Sequence, residues 1–260
     1  MALYQRVVDE LLTTRLMNQD DSILVSCGGP YDAHVLRQSQ FHRVTISNID
    51  NEMNRELAPF DWAKQDAEHL TYGDDSFDWA IVNAGLHHCE CPHRGLLELC
   101  RVARKGVLVL EARDSALVRL AVRLGMTVDY ETEAVVLSNY SGGGVRNSPV
   151  PNYVYRWTER EVVKTIESAF PHRVNDIRFY YELRIPLQRL AMSSMSKRML
   201  AMVAGAVVSL VRIVLPRQCN EFAFVIMNTG KLKPWIASTE HGFSMSREYR
   251  LNYDPEKYRN

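Results

Sequence analysis

The sequence predicts an α/β protein, with a mostly parallel sheet covered by helices on both faces. Two observations predict this class. Short apolar runs rich in β-branched residues alternate with stretches of helical periodicity, as in parallel strands joined by crossover helices. Several of those runs, at 22–27, 77–83 and 106–111, are apolar at nearly every position, so both their faces are expected to be covered. In such sheets ligands bind beyond the carboxyl ends of the strands. A chain of 260 residues with 46% hydrophobic content can bury a substantial core, and one elaborated domain, 1–260, is expected.

Leu3, Val7, Leu11 and Leu12 recur at helical spacing and predict an amphipathic opening helix that ends before Asp20-Asp21. Residues 22–27 form the first strand, closed by the turn signal Gly28-Gly29-Pro30. A helix over about 32–38 leads to a second strand at 43–50, β-branched and ending on Asp50. A third short strand is expected near 63–66, and the apolar run 77–83 is the fourth. Pro92 suits the first turn of a helix carrying Leu96, Leu97 and Cys100, and Gly106 is placed to end it before the fifth strand at 106–111.

Residues 114–156 break the alternation. Ser141-Gly142-Gly143-Gly144 and Ser148-Pro149-Val150-Pro151 make a loop-rich insert that delivers Tyr153, Tyr155, Arg156 and Trp157. A long loop on the ligand edge of an α/β sheet is more often functional than idle, so it is read as a substrate lid. Thr158-Glu159-Arg160-Glu161 is a capping box that opens a helix with Val162, Val163 and Ile166 inward. Two late strands follow at 177–183 and 221–227, separated by a long helical stretch at 187–215, and the tail from 244 to 260 is expected to pack as an irregular arm.

Composition excludes several classes. Thirty-one basic and 31 acidic residues cancel, so no global field draws the chain onto nucleic acid. The five cysteines are odd in number and lie mostly in apolar runs, unlike a disulfide framework, which implies a reducing, cytoplasmic setting. Residues 1–7 lack a basic leader and an apolar core, so export is not expected. The uncharged run 199–211 is short of the roughly 20 residues that span a bilayer. Its flanks, Lys197, Arg198, Arg212 and Arg217, admit contact with the inner face of a membrane, but a buried helix or homodimer interface is the preferred reading.

The chemistry-bearing residues fall at strand ends. The turn after the first strand presents backbone donors at a helix N-terminus and allows close approach of a ligand. Asp50 lies about 20 residues beyond that turn, where an acid can accept both hydroxyls of a ribose. The run Asn83-Ala84-Gly85-Leu86-His87-His88 ends the fourth strand, and either histidine is a candidate general base for an oxygen acceptor. The segment His87-His88-Cys89-Glu90-Cys91-Pro92-His93 lacks the C-x-x-C spacing of zinc sites, and no metal is expected.

The stretch Gln65-Asp66-Ala67-Glu68-His69-Leu70, with Asp74-Asp75-Ser76-Phe77-Asp78 behind it, resembles class I S-adenosylmethionine-dependent methyltransferases, and the likeness extends over about 23–111. The resemblance implies a Rossmann-like seven-stranded sheet, mostly parallel with one antiparallel late strand. To this it adds an inserted lid and a C-terminal helical elaboration. The cofactor-binding core would span about 20–113, the lid about 114–157 and the elaboration about 158–260. Asp66 would accept the adenine amine, with the amide of Ala67 meeting the ring. Cys27, Gly28 and Gly29 would cradle the methionine portion, Asp32 would supply a carboxylate to its ammonium, and Asn83 would open the run facing the transferred methyl. The loop departs from the family at Val25, Cys27 and Tyr31, which stand where an acid and two glycines are usual.

The reaction implied is methyl transfer from S-adenosylmethionine to a small molecule, a sugar or a lipid-linked glycan, through a hydroxyl oxygen. Tyr140, Arg146, Tyr153, Tyr155 and Arg156 are the candidate acceptor contacts, since aromatic faces pack on sugar rings while arginine reads hydroxyls or phosphate. The chain also resembles bacterial methyltransferases associated with surface-polysaccharide and glycolipid assembly. The rival reading is a cofactor-binding or scaffolding protein that has lost catalysis, which the altered glycine-rich loop allows.

Overall fold

The computed structural model describes residues 2–50, 55–184, 210 and 213–251. Helix α1 (Leu3–Thr13) leads into strand β1 (Ser22–Ser26), helix α2 (Pro30–Gln38) and strand β2 (Arg43–Asn48). Strands β3 (Asp61–Lys64) and β4 (Phe77–Asn83) follow, then helix α3 (Pro92–Val102) and strand β5 (Ala103–Ala112). The insert carries helix α4 (Ala116–Arg123), strand β6 (Tyr130–Glu131), helix α5 (Glu133–Leu137) and strand β7 (Asn152–Tyr153). Helix α6 (Glu159–Ala169) and strands β8 (Arg173–Glu182) and β9 (Glu221–Leu232) complete the main sheet, and β10 (Ile236–Thr239) pairs with β11 (Gly242–Met245) in a terminal hairpin.

The seven-stranded sheet has the order β3-β2-β1-β4-β5-β9-β8. Only β9 runs against it, antiparallel to both β5 and β8, in agreement with the single antiparallel strand expected. Alternate residues of the central strands feed two cores. Ile23, Val25, Ile46, Trp79, Ile81 and Leu108 meet α1 and α2 on one face. Leu24, Ala80, Val82, Val107 and Val109 meet Leu96, Leu99, Val162 and Ile166 from α3 and α6 on the other. Burial on both faces is why these strands read as unbroken apolar runs.

Several boundaries differ from the sequence reading. The third strand lies two residues earlier than expected, and the eighth and ninth are longer than their apolar stretches. Gly106 does not end α3. That helix stops at Val102 and passes directly into β5, where Gly106 is an interior strand residue. A Cβ there would lie 2.7 Å from the Trp79 ring and 2.8 Å from the Ile226 carbonyl oxygen, so glycine is required by close approach. Gly106→Ala is expected to destabilise the fold by about 1–3 kcal/mol, the cost of overpacking a well-filled core, read as a lower midpoint in denaturant.

The insert is more regular than a loop, and its base is closed. Trp157 donates its amide to the Ala112 carbonyl, and Asp114 donates back to Trp157, both at 2.9 Å. Thr158 caps α6 by accepting from the Glu161 amide at 3.2 Å, with Val162 and Ile166 buried but Val163 turned to solvent. The expected helical stretch 187–215 and apolar run 199–211 lie outside the described residues, save Leu210 and 213–215. Among the described residues, no helix is long and apolar enough to cross a membrane. Of the tail expected to be irregular, 244–260, the start ends strand β11 and enters a short helix, Arg247–Leu251, and 252–260 lie outside the described residues.

The amino-terminal ends of β1, β4 and β5 are tied by one carboxylate. Asp78 accepts from the amide and hydroxyl of Ser22 at 3.0 Å, from Arg104 at 2.6 Å and from Lys105 at 3.2 Å. Burial alone would raise its pKa, but these donors outweigh it and hold the carboxyl well below the usual carboxylate range. Its contribution to stability is therefore complete above the unfolded value of about 3.9 and lost as pH falls toward the folded one. Below about pH 4 the wild type is expected to lose stability more steeply than Asp78→Asn, checked by chemical denaturation across pH.

Candidate active site

A cavity opens beyond the carboxyl ends of β1 to β4. It is lined by Cys27 after β1, Asn48 to Asp50 after β2, Gln65 to Glu68 after β3, and Ala84, Gly85, His88 and Cys89 after β4. The backbone turns sharply at two of these strand ends, where Cys27 and Ala84 have left-handed φ of 53° and 51°. Gly28 packs against β1 and β2, and a Cβ there would come within 2.7 Å of both Val25 and Ile46. Its bareness is thus already required by strand packing.

The two strand-end acids stand on one wall of the cavity. Asp66 accepts from the Glu68 amide at 2.9 Å and so folds its own loop into a tight turn. Glu68, itself buried, receives the amides of Glu90 and Cys91 at 2.9 and 3.0 Å, fastening this loop to the start of α3. Both acids are met from above by the insert. The Val145–Asn147 turn has left-handed φ at Arg146 and Asn147, which aims Arg146 at Asp66 (2.8 Å) and the Asn147 amide nitrogen at Asp50. Gly143, Gly144, Arg146 and Asn147 accordingly form the remaining wall.

On the floor, the 3-10 turn Leu86–His88 holds the histidine pair. The Glu111 carboxylate, its side chain fully buried at the end of β5, accepts the Leu86 amide at 2.7 Å and faces His87 Nδ1 at 2.9 Å. From the insert, Glu131 lies 3.3 Å from His87 Nε2 and 3.6 Å from His88 Nε2. Burial would lower the His87 pKa, but Glu111 and Glu131 together raise it to about 10. The His88 pKa is lowered, first by burial and then by the neighbouring His87 charge. Glu131 is drawn down to about 2, chiefly by its hydrogen bond with His87. A hydrogen bond between the Cys27 and Cys89 thiols lowers the first and raises the second.

The remaining predicted residues are divided. Cys27, Asp50, Asp66, Ala67, His88 and Arg146 line the cavity, with His87 just behind it. Gly28, Gly29, Asp32 and Asn83 are off its wall. Asp32 is buried and turned back to accept the Gly29 amide at 2.9 Å, capping α2, and burial pushes its carboxyl up to about 6. Tyr155 packs edge-on to Trp157 with its hydroxyl on Glu161, while Arg156 is held by Asp129 at 2.7 Å and the Val128 carbonyl at 2.6 Å. Tyr153 pairs with Tyr130 across β6 and β7, and Tyr140 is exposed. These four shape the insert; none lines the cavity. Glu111 and Glu131 were not singled out from sequence. Glu111 carried a signal, an acid at a strand's carboxyl end, but Glu131 carried none.

Residues 23–110 match the family model described as a methyltransferase domain. No curated protein matches the chain. Among solved structures it is similar to one in a complex of the Haloferax volcanii Trm112 methyltransferase activator with a methyltransferase, at TM-score 0.51 and 13% identity, covering 86% of this chain and 94% of the other. It is also similar to the YcgJ protein of Bacillus subtilis (TM-score 0.50, 11% identity, 86% and 98% covered). A third is the Burkholderia thailandensis 1,6-didemethyltoxoflavin-N1-methyltransferase, solved with 1,6-didemethyltoxoflavin and S-adenosylhomocysteine (TM-score 0.48, 15% identity, 87% and 79% covered). The likenesses concern the fold. The fold is the Rossmann-like α/β architecture of class I methyltransferases, and the domain match covers its first five strands.

Proposed function

We propose that this chain is an S-adenosylmethionine-dependent enzyme that methylates a hydroxyl oxygen of a small-molecule or glycan acceptor, in the assembly of a surface polysaccharide or glycolipid. The observation that carries the reading is the His87–His88–Glu131 cluster at a cavity that Asp50 and Asp66 also line. In this reading Asp50 accepts the ribose hydroxyls, Asp66 the adenine amine, and Ala67 meets the ring. Cys27, Gly28, Gly29 and Asn83 flank the methionine portion, with Asp32 acting through the turn it caps. The cofactor supplies a sulfonium methyl, to which the acceptor oxygen bonds as the carbon–sulfur bond breaks. His88, whose pKa is lowered, takes the proton of the acceptor hydroxyl while His87, held between Glu111 and Glu131, helps to bring that hydroxyl into line, so alignment does much of the catalysis.

The acceptor enters under the insert, where Arg146 is nearest and Tyr140, Tyr153, Tyr155 and Arg156 shape the approach. Leu117, Leu120, Leu124, Met126 and Val128 form an exposed apolar margin on this insert, which favours an acceptor carried on a lipid at the inner face of a membrane. A cytoplasmic enzyme with peripheral membrane contact, working alone or as a homodimer, fits that setting. The test is S-adenosylhomocysteine release against a panel of glycans and lipid-linked intermediates. Turnover on amine acceptors alone would overturn the hydroxyl reading.

Because Arg146 and Asn147 already occupy the two acids, cofactor binding exchanges those bonds for bonds to adenosine. Asp66→Ala is expected to weaken binding by about 1.5–3 kcal/mol, the scale of a hydrogen bond to a charged group. Arg146→Ala should instead tighten it by up to about 1 kcal/mol, the worth of a half-exposed ion pair. Calorimetric titration with S-adenosylmethionine reads both, and equal effects of the same sign would remove the exchange.

A further inference from the structure

We infer that His87, His88 and Glu131 form a binding site for a zinc-class divalent cation at the acceptor end of the cavity. The inference rests on the proposed hydroxyl transfer only for the cation's role, and there the cation, in place of a histidine base, releases the acceptor's proton.

Four features of the cluster point to a metal. One ligand atom from each of the three residues lies within 4.8 Å of the others. The Glu131 oxygen stands 3.3 Å from His87 Nε2 and 3.6 Å from His88 Nε2. Zinc bonds of about 2.0–2.2 Å in tetrahedral geometry set neighbouring ligands roughly 3.3 Å apart, a spacing that both Glu131 edges approach. Behind His87, the buried Glu111 takes Nδ1 at 2.9 Å and is itself fixed by the Leu86 amide, leaving Nε2 toward Glu131. A carboxylate holding the far nitrogen of an imidazole is the usual outer support of a metal-ligating histidine. Glu131 has an outer contact of its own, with the Asn152 amide at 3.4 Å.

Two histidines and one carboxylate leave a coordination position free, as in catalytic rather than structural zinc sites. His88 lines the cavity, which puts that position on the acceptor side. A hydroxyl bound there would lose its proton to solvent at neutral pH, because the cation lowers its pKa. The oxygen's electron pair then forms the bond to the methyl carbon, and the carbon–sulfur pair leaves with sulfur.

The experiment titrates chelator-stripped, full-length protein with Zn²⁺ by calorimetry and with Co²⁺ by visible absorption, in the absence of cofactor and acceptor. One saturable equivalent and an intense Co²⁺ d–d band are expected. Glu131→Gln and His88→Ala should each weaken Zn²⁺ binding at least 10-fold, and Glu111→Gln about 10–100-fold as an outer partner. Thermal melts confirm that each variant folds, and Glu131→Gln, on the half-exposed insert, keeps the test open should Glu111→Gln not fold. No saturable binding, or binding unchanged in Glu131→Gln and His88→Ala, would overturn the site. If the protein bound no Zn²⁺ yet released S-adenosylhomocysteine from a hydroxyl acceptor, the metal alone would fall and the cluster would work by proton transfer.

Discussion

His88→Ala is expected to lower turnover by about 10²–10⁴-fold, the scale of removing a group that deals with the acceptor's proton, with little change in affinity for S-adenosylmethionine. His88 is the cleaner of the two histidines to remove. Its imidazole is about one-third exposed and contacts Glu131, which keeps His87 as a partner. His87→Ala would leave the buried Glu111 carboxylate facing an empty space, so part of its effect would be lost stability. Single-turnover formation of S-adenosylhomocysteine, measured beside a cofactor titration, separates the chemical step from binding. A loss of less than about fivefold would reduce His88 to a wall of the cavity.

The largest expected effect on stability comes from Glu159→Ala, at about 3–5 kcal/mol. Arg113, only 6% exposed, makes paired hydrogen bonds with Glu159 at 2.7 and 2.8 Å, and the Tyr181 hydroxyl donates to the same carboxylate at 2.8 Å. Removing the carboxylate leaves a buried guanidinium without its counter-charge: Nη1 keeps the Asp114 and Arg217 carbonyls, but Nη2 loses both its bonds and Nε already has no partner among the described residues. Arg113 sits where the chain leaves β5 for the insert, bridged to Trp157 where it returns, so the loss would also loosen the base of the insert. Urea unfolding with separate near- and far-ultraviolet probes would show whether the insert unfolds before the sheet. A destabilisation under about 1 kcal/mol would mean that Arg113 finds water once its partner is gone.

The fold was legible in the sequence because its signals are local. A strand buried on both faces must be apolar along its length, as 77–83 is, and its bounds agree residue for residue with β4. That Asp50 and Asp66 line the cavity was legible for a related reason, since such cavities open at the carboxyl ends of the strands. Gly106 was misread because sequence cannot say whether a missing Cβ serves a helix end or a neighbouring tryptophan. Residue type alone could not say that Tyr155 and Arg156 are engaged by Trp157, Glu161 and Asp129 within the insert.

From the sequence came the doubly covered sheet, the order of its elements to β5 and the two acids at its strand ends. Only the tertiary structure decided what stands opposite those acids. Arg146 and Asp66 are 80 residues apart, and Asn147 and Asp50 are 97 apart. Glu131 reaches the histidine pair only because the insert, closed at its base by Ala112 and Trp157, folds back over the strand ends. Contacts of that kind depend on where a loop is anchored and how it turns, which side-chain periodicity does not encode.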